Sequence, residues 1–119
     1  MISNASPVFS TFGEVYFSVV NPGVTKGWKL HSKSISNLTV IRGAVTFVLH
    51  DKRKDSPTCG ESQSIILNDN DRYQLLTIPP GIAYAWRNDS LEASIIANTA
   101  SENWYEGESQ NLPLTTPSI

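Results

Sequence analysis

Lys29 and His31 lie two residues apart and could take part in acid–base chemistry or bind an anion. Residues 27–31 are typical of a short β-strand, in which successive side chains point to opposite faces. Lys29 and His31 therefore share one face, and Trp28 and Leu30 share the other. A histidine exchanges protons near neutral pH and a lysine supplies positive charge. The pattern predicts a polar site but does not decide which face is turned inward.

A second group of side chains suited to ligand binding lies in residues 83–88. Tyr84 and Trp86 share one face of this predicted strand, and Arg87 lies on the other. The two rings could stack on a base or a sugar, although aromatic side chains on barrel strands more often belong to the core. Arg87 could reach a phosphate group, although an exposed strand arginine is the commoner case.

Basic residues are concentrated in one part of the chain. Between positions 26 and 54 the only acid is Asp51, whereas the whole chain has a formal net charge of -2. The basic residues of this stretch are Lys26, Lys29, Lys33, Arg42, Lys52, Arg53 and Lys54. Because the surplus is local, it predicts a basic patch and an anionic ligand.

Short strand-like runs between turn signals must position these side chains. Two apolar, β-branched runs meet at Gly43, and the second ends in a charged turn that contains Pro57. Eight runs are predicted, at residues 14–20, 27–31, 37–42, 44–51, 62–67, 73–78, 83–88 and 91–97. About eight strands at this spacing, without helical periodicity, predict an antiparallel sandwich or jelly roll. The polar tail is predicted to wrap the barrel as a loop or a short helical turn.

Length and composition indicate one domain over all 119 residues, with a core at about 12–100 and a tail at about 101–119. The near-balanced charge argues against nucleic-acid binding, and no apolar run reaches membrane-spanning length. Cys59 is the only cysteine and excludes an intrachain disulfide. Since no export signal is recognisable, we expect a cytoplasmic protein.

A metal site is not indicated by the histidines. The chain has only His31 and His50, which are far apart in sequence. The residue two before His31 is Lys29, so the His-x-His pair of metal-binding cupins is missing. We therefore expect no metal.

An ordered series of motifs resembles the dTDP-4-dehydrorhamnose 3,5-epimerase superfamily, and above all its short, divergent members. The series covers roughly residues 12–110. It consists of Gly13-Glu14-Val15-Tyr16-Phe17-Ser18, Val20-Asn21-Pro22-Gly23-Val24, Lys26-Gly27-Trp28 leading to His31, Gly43, Asp51 with Arg53, Ser56-Pro57-Thr58 with Gly60, and Ile78-Pro79-Pro80-Gly81. The resemblance implies a cupin-type jelly roll (double-stranded β-helix), usually a homodimer that exchanges or shares N-terminal strands. It also implies a dTDP-linked 4-keto-6-deoxyhexose as the ligand, with no metal or organic cofactor.

The resemblance further implies roles for individual side chains. In such a reaction a base removes a proton next to a ketone, and an acid returns one on the opposite face. His31 is the expected base, and Lys29, which shares its face, is expected to stabilise an enolate or bind phosphate. Tyr84 or Tyr105 is a separate hypothesis for the acid, which the resemblance itself does not imply. Ligand contacts are expected from Lys33, Arg42, Arg53, Trp86 and Arg87, because arginine and lysine suit a diphosphate. For Asp51 and Arg53 the alternative is a salt bridge within the turn.

Several positions depart from the pattern of the full-length epimerases. Ser36 stands where a lysine is expected, the expected tyrosine acid falls near Ile96, and Tyr84 replaces a histidine. The chain is also expected to end before the region that supplies the aspartate that orients the base. Losing an acid typically costs ~10²–10⁴-fold in rate.

Four functions therefore remain open. The leading one is a sugar-nucleotide epimerase or isomerase that works by base-catalysed enolisation. The alternatives are a non-catalytic cupin that binds a nucleotide-sugar or related sugar, a 3,4-ketoisomerase, and a structural dimerisation module. The last would require a barrel mouth filled by the protein's own aromatic side chains.

Overall fold

The architecture is all-β. The computed structural model describes residues 12–103 and 107–114, and within these ranges it contains nine strands and no helix. They are β1 (Glu14–Val20), β2 (Thr25–His31), β3 (Ser36–Arg42), β4 (Ala44–Asp51), β5 (Ser62–Asn68), β6 (Leu76–Ile78), β7 (Ile82–Asn88), β8 (Ser94–Ala100) and β9 (Ser109–Asn111). One antiparallel sheet has the order β1-β8-β3-β6, and the other has the order β5-β4-β7-β2-β9. The predicted cupin-type jelly roll is confirmed. Nothing in the described ranges forms a helix able to cross a membrane.

Alternating burial along the strands explains why these residues form two packed sheets. In β4, Val45 and Phe47 are buried, whereas Thr46 and Val48 are partly exposed on the opposite face. β8 alternates in the same way, with Ile96 among its inward side chains. Burying a large apolar side chain contributes ~1.5–3 kcal/mol. The register is therefore well determined, because a slip of one residue would turn the inward set to solvent.

The core occupies the space between the two sheets, and a smaller cluster lies on the other face of the five-stranded sheet. The core comprises Val20, Leu38, Val40, Val45, Phe47, Leu67, Ile78, Tyr84 and Ile96. The smaller cluster is built on Trp28, Ala83 and Ala85. Because Trp28 points to this other face of β2, Lys29 and His31 are turned toward the inside of the barrel. The strand parity that the sequence left open is thereby resolved.

The tail contains a strand that the sequence analysis missed. β9 pairs with the end of β2, with His31 opposite Ser109, and Leu112 exchanges two backbone hydrogen bonds with Trp28. The prediction of a loop or helical turn is wrong for residues 109–111, because this short polar strand is stabilised by its partner rather than by its own pattern. Its position brings the preceding residue, Glu108, to the open end of the barrel.

Gly43 allows the chain to pass from one sheet to the other, between β3 and β4. Its φ of +91° lies in the left-handed region that favours glycine. A Cβ atom at this position would also collide with the hydroxyl of Ser94. The glycine is therefore needed for both its backbone conformation and its small size.

Candidate active site

A histidine–carboxylate pair lies where β9 meets the end of β2. Nδ1 of His31 lies 2.8 Å from Oε1 of Glu108, whose side chain is 2% exposed. The other carboxylate oxygen, Oε2, accepts hydrogen bonds from the backbone N–H groups of Ser34 (3.0 Å) and Lys33 (3.4 Å). A glutamate therefore orients His31, although the sequence analysis expected the chain to lack the family's orienting aspartate and named no substitute. Glu108 contacts His31 across 77 positions of sequence.

The hydrogen bonds around Glu108 keep its carboxyl group ionised. Burial raises the pKa of Glu108, but hydrogen bonds from His31 and from the backbone N–H groups of Ser34 and Lys33 outweigh this effect, so the pKa lies below its ordinary value. Because a carboxylate only accepts hydrogen bonds, Nδ1 of His31 carries the hydrogen. In the neutral imidazole the lone pair is then on Nε2, where it can accept a proton.

Tyr84 packs against this imidazole from the neighbouring strand. The rings of Tyr84 and His31 are stacked, with 6.1 Å between their centroids. The Tyr84 hydroxyl oxygen lies 3.4 Å from both Nε2 of His31 and Oγ of Ser36. The side chain is 2% exposed, and burial is the main cause that raises the pKa of its hydroxyl. Tyr84 is thus a neutral, buried neighbour of His31 on the same sheet.

The inward face of β2 opens into two adjoining cavities. The mouth cavity, of about 240 Å³, is lined by Glu14, Tyr16, Lys29, His31, Ser34, Ala100, Glu102 and Glu108. The inner cavity, of about 90 Å³, is lined by Tyr16, Ser18, Lys29, Leu38, Phe47, Tyr84, Trp86, Ile96 and Asn98. Lys29 and Tyr16 line both. Lys29 and His31 thus share the mouth cavity, and Lys29 lines the inner cavity together with Tyr84 and Trp86.

A third cavity, the outer cleft, lies on another side of His31. It has a volume of about 310 Å³ and is lined by Leu30, His31, Ser32, Lys52, Pro80, Gly81, Glu108 and Gln110. Lys52 belongs to the basic stretch recognised in the sequence, and its side chain lines this cleft. The outer cleft therefore places a positively charged side chain beside the histidine–carboxylate pair.

The predicted ligand contacts lie in different parts of the fold. Trp86 lines the inner cavity, and its Nε1 is buried without a hydrogen-bond partner among the described residues. Lys33 is exposed beside the Glu108 carboxylate. Arg42 and Arg87 each lie near a surface carboxylate, at 3.6 and 2.7 Å, and neither lines the three cavities described above. Arg42 thus lies apart from the cavities, whereas Lys52 of the same basic stretch lines the outer cleft.

Arg53 is held by Asp51 in the turn after β4. Its guanidinium donates from Nε and an Nη to the two carboxylate oxygens of Asp51, each at 3.0 Å. The hydroxyl groups of Ser56 and Thr58 donate to the same carboxylate. Hydrogen bonds from Arg53, Thr58 and Ser56 lower the pKa of Asp51 well below its usual range. The alternative of a salt bridge within the turn therefore describes the observed contact.

Several residues of the site were not recognised from the sequence. They are Glu108, Asn98 and Ser34, together with Tyr16 and Lys52, which lay within a recognised motif and the basic stretch but had no assigned role. Strand parity alone would have put Tyr16 and Ser18 on one face of β1, but nothing local signals the long-range contact of Glu108. Tyr105, the second candidate acid, lies outside the described residues. Over residues 12–103 and 107–114, no three His, Cys, Asp or Glu side chains gather as a metal site.

Fold and site together define a class of protein. A cupin-type jelly roll holds a histidine paired with a buried carboxylate at the opening of its barrel, next to a lysine and aromatic side chains. Such a site is equipped to move protons on a small ligand. A sequence profile described as dTDP-4-dehydrorhamnose 3,5-epimerase matches residues 3–119, and the chain belongs to this family.

Known proteins agree with this assignment. The chain is similar to a crystal structure of a dTDP sugar isomerase from Desulfovibrio desulfuricans G20, with 38% identity, a TM-score of 0.95, and coverage of 98% of this chain and 74% of that one. It is 36% identical over 104 residues to the spore coat polysaccharide biosynthesis protein SpsL of Bacillus subtilis, covering 86% of this chain and 68% of that protein. It is 29% identical over 94 residues to the probable low-salt glycan biosynthesis epimerase Agl13 of Haloferax volcanii, covering 78% of this chain. The match spans only 59% of the Haloferax protein's length.

Proposed function

We propose that this protein is an epimerase or isomerase of a dTDP-linked 4-keto-6-deoxyhexose and acts by base-catalysed enolisation. The observation that carries the proposal is the 2.8 Å contact between Nδ1 of His31 and the Glu108 carboxylate at the edge of the barrel cavity. A base in this setting has a fixed tautomer and a partner for the charge it acquires. The similar Desulfovibrio protein is a dTDP sugar isomerase, which supports a dTDP-linked sugar as the ligand.

The proposed reaction begins with proton transfer to Nε2 of His31 from a carbon next to the ketone. The electron pair of the broken C–H bond forms the enolate, and the carbonyl oxygen takes the negative charge. The ammonium group of Lys29, which lines both cavities, stabilises that oxygen. Glu108 stabilises the imidazolium ion. A proton returned to the other face of the carbon completes an epimerisation.

The proposed ligand contacts follow the cavities. Trp86 lines the inner cavity, and its N–H has no hydrogen-bond partner among the described residues; a sugar hydroxyl or ring bound there would meet this side chain. Lys52 in the outer cleft and the exposed Lys33 supply positive charge beside His31, which suits a diphosphate. The guanidinium of Arg53 is engaged by Asp51, so its role is to hold the turn that carries Lys52.

We also propose that the protein is a cytoplasmic homodimer. β1 is an edge strand, and on its outer face Phe17 and Val19 are 62% and 57% exposed. An apolar edge of this kind is typical of a covered interface. Phe17→Asp is expected to convert the dimer to a monomer in light scattering, whereas Ile66→Asp on β5 is not; equal masses for the two variants would contradict the proposal. A free, exposed Cys59 is compatible with a reducing compartment.

A binding protein without turnover is the second candidate. Ile96 lies in the inner cavity wall, near the position where the family resemblance calls for a tyrosine acid, and Tyr84 is buried on the same sheet as the base. If no other group returns the proton, the cavity would bind a nucleotide-sugar without inverting it. Both candidates bind the same ligand, but only the enzyme converts it to a product.

Product analysis tests the proposed function. The protein is incubated with dTDP-4-keto-6-deoxyglucose, and the sugar is followed by proton NMR through its coupling constants. Inversion at C3 or C5 supports an epimerase, and migration of the ketone to C3 identifies a 3,4-ketoisomerase. Ligand-induced shifts with an unchanged sugar would establish the binding protein and overturn the enzyme.

A further inference from the structure

Tyr16 faces the cavity from the sheet opposite to His31. It lies on β1 of the four-stranded sheet, directly across from Asn98 on β8, whereas His31 lies on β2 of the five-stranded sheet. Both side chains line the mouth cavity, and Tyr16 also lines the inner cavity. A ligand between the two sheets would therefore have His31 on one side and Tyr16 on the other.

A hydrogen-bond chain determines how the Tyr16 hydroxyl is used. The backbone N–H of Asn37 donates to Oδ1 of Asn98 at 3.2 Å, which fixes the orientation of that amide because its oxygen must face the donor. The amide nitrogen Nδ2 of Asn98 then donates to the Tyr16 hydroxyl oxygen at 2.8 Å. Tyr16 is thus an acceptor in this bond. Its own hydrogen has no acceptor among the described residues and is available to the cavity.

The protonation state of Tyr16 suits a donor. Burial is the largest influence and raises the pKa of its hydroxyl, although the hydrogen bond from Asn98 opposes the shift. The group therefore carries its proton at neutral pH. The same Asn98 N–H would stabilise the phenolate after the proton has left. Tyr84 has no such arrangement, because it is buried and lies on the sheet of His31.

We propose that Tyr16 is a catalytic residue that returns a proton to the enolate carbon on the face opposite to His31. This inference rests on the proposed function and names its missing acid. The O–H bond of Tyr16 breaks as the new C–H bond forms with the electron pair of the enolate, and the ketone is restored. The phenolate and the imidazolium of His31 return to their starting states by exchanging one proton through water.

Tyr16→Phe in deuterated water separates the two proton transfers. With wild-type protein, we expect deuterium at the reacting carbon together with inversion of its configuration. With Tyr16→Phe, His31 can still remove and return a proton on its own face. We therefore expect deuterium incorporation with retained configuration, and an inversion rate lower by ~10²–10⁴-fold. Tyr73→Phe, at a 47% exposed tyrosine, is the matched control and is expected to behave as wild type.

The outcomes are distinguishable. Inversion by Tyr16→Phe at the wild-type rate would overturn the role of Tyr16 and leave the proposed function intact. Absence of exchange with wild-type protein would overturn the proposed function, and the role of Tyr16 with it. If circular dichroism shows that Tyr16→Phe is unfolded, Asn98→Ala replaces it, since loss of the donor to Tyr16 is expected to slow inversion more than exchange; equal slowing would contradict the proposal.

Discussion

Replacing Glu108 by glutamine would remove the charge that orients His31 while keeping the size of the side chain. The carboxylate accepts from His31 through one oxygen and from the backbone N–H groups of Ser34 and Lys33 through the other. A glutamine has one acceptor oxygen and one NH₂ donor for these two positions. Therefore either the backbone N–H groups lose their acceptor, or the imidazole must accept a hydrogen bond at Nδ1 instead of donating one.

The energetics favour one of the two orientations. If the amide oxygen faced His31, the NH₂ group would point at two backbone donors, and a buried unsatisfied N–H costs ~1–3 kcal/mol. If the oxygen faces Ser34 and Lys33, the NH₂ donates to Nδ1, and the imidazole takes the tautomer with hydrogen on Nε2. We expect the second orientation. The unfolding free energy should fall by ~1 kcal/mol, because neutral hydrogen bonds replace those to a charged carboxylate. The rate should fall by ~10²–10⁴-fold, because Nε2 no longer accepts a proton.

The assay for Glu108→Gln is deuterium incorporation into dTDP-4-keto-6-deoxyglucose, with urea unfolding measured alongside. The pKa of Glu108 is lower in the folded protein, so its stabilising effect is complete above the ordinary glutamate pKa of about 4.3 and is lost as the pH falls through the folded-state value. The stability difference between wild type and variant is therefore expected to narrow in acid. Glu92→Gln, at a 77% exposed side chain, is the control. Exchange by Glu108→Gln within tenfold of wild type would refute the tautomer reasoning.

Three further changes test the scaffold. Phe47→Ala should lower the unfolding free energy by ~3–5 kcal/mol in urea titration, because Phe47 is fully buried between the sheets; a loss below 1 kcal/mol would contradict its place in the core. Asp51→Asn should lower the melting temperature at pH 7 by removing the carboxylate that binds Arg53, and the difference should shrink as the pH falls below the ordinary aspartate range, because the folded-state pKa of Asp51 is lowered. Gly43→Ala should destabilise the fold by at least ~1–3 kcal/mol, since its positive φ and its contact with Ser94 both exclude a Cβ; an unchanged midpoint of unfolding would show that the crossing between sheets adapts.

Most of the strands could be predicted from the sequence, because buried and exposed side chains alternate regularly along them. The bounds of β1 and β4 are predicted residue for residue, since turn residues and Gly43 delimit strong alternation. The run predicted at 91–97 is displaced from β8 (Ser94–Ala100). Leu91 is 98% exposed in the turn, whereas the true strand continues into polar residues that the apolar pattern does not include. β9 was missed because it has three polar residues and depends on β2.

The candidate site was only partly readable for a similar reason. Strand parity grouped Lys29 with His31 on β2 and Tyr84 with Trp86 on β7. It did not show which face of each strand is turned inward, because that is decided by the packing of Trp28 on the other face of the sheet. Glu108 reaches His31 through the pairing of β9, a contact between distant parts of the chain. Basic residues close in sequence were expected to form one patch, but Arg42 lies beside Glu92 on the surface whereas Lys52 lines the outer cleft.

The rate of deuterium incorporation with His31→Asn tests the central claim most directly. Wild-type protein and the variant are compared in deuterated water with dTDP-4-keto-6-deoxyglucose, and calorimetry measures the affinity of each for the nucleotide-sugar. The account predicts that exchange next to the ketone falls by ~10²–10⁴-fold, while the affinity changes little. Exchange by His31→Asn at the wild-type rate would contradict the assignment of His31 as the base.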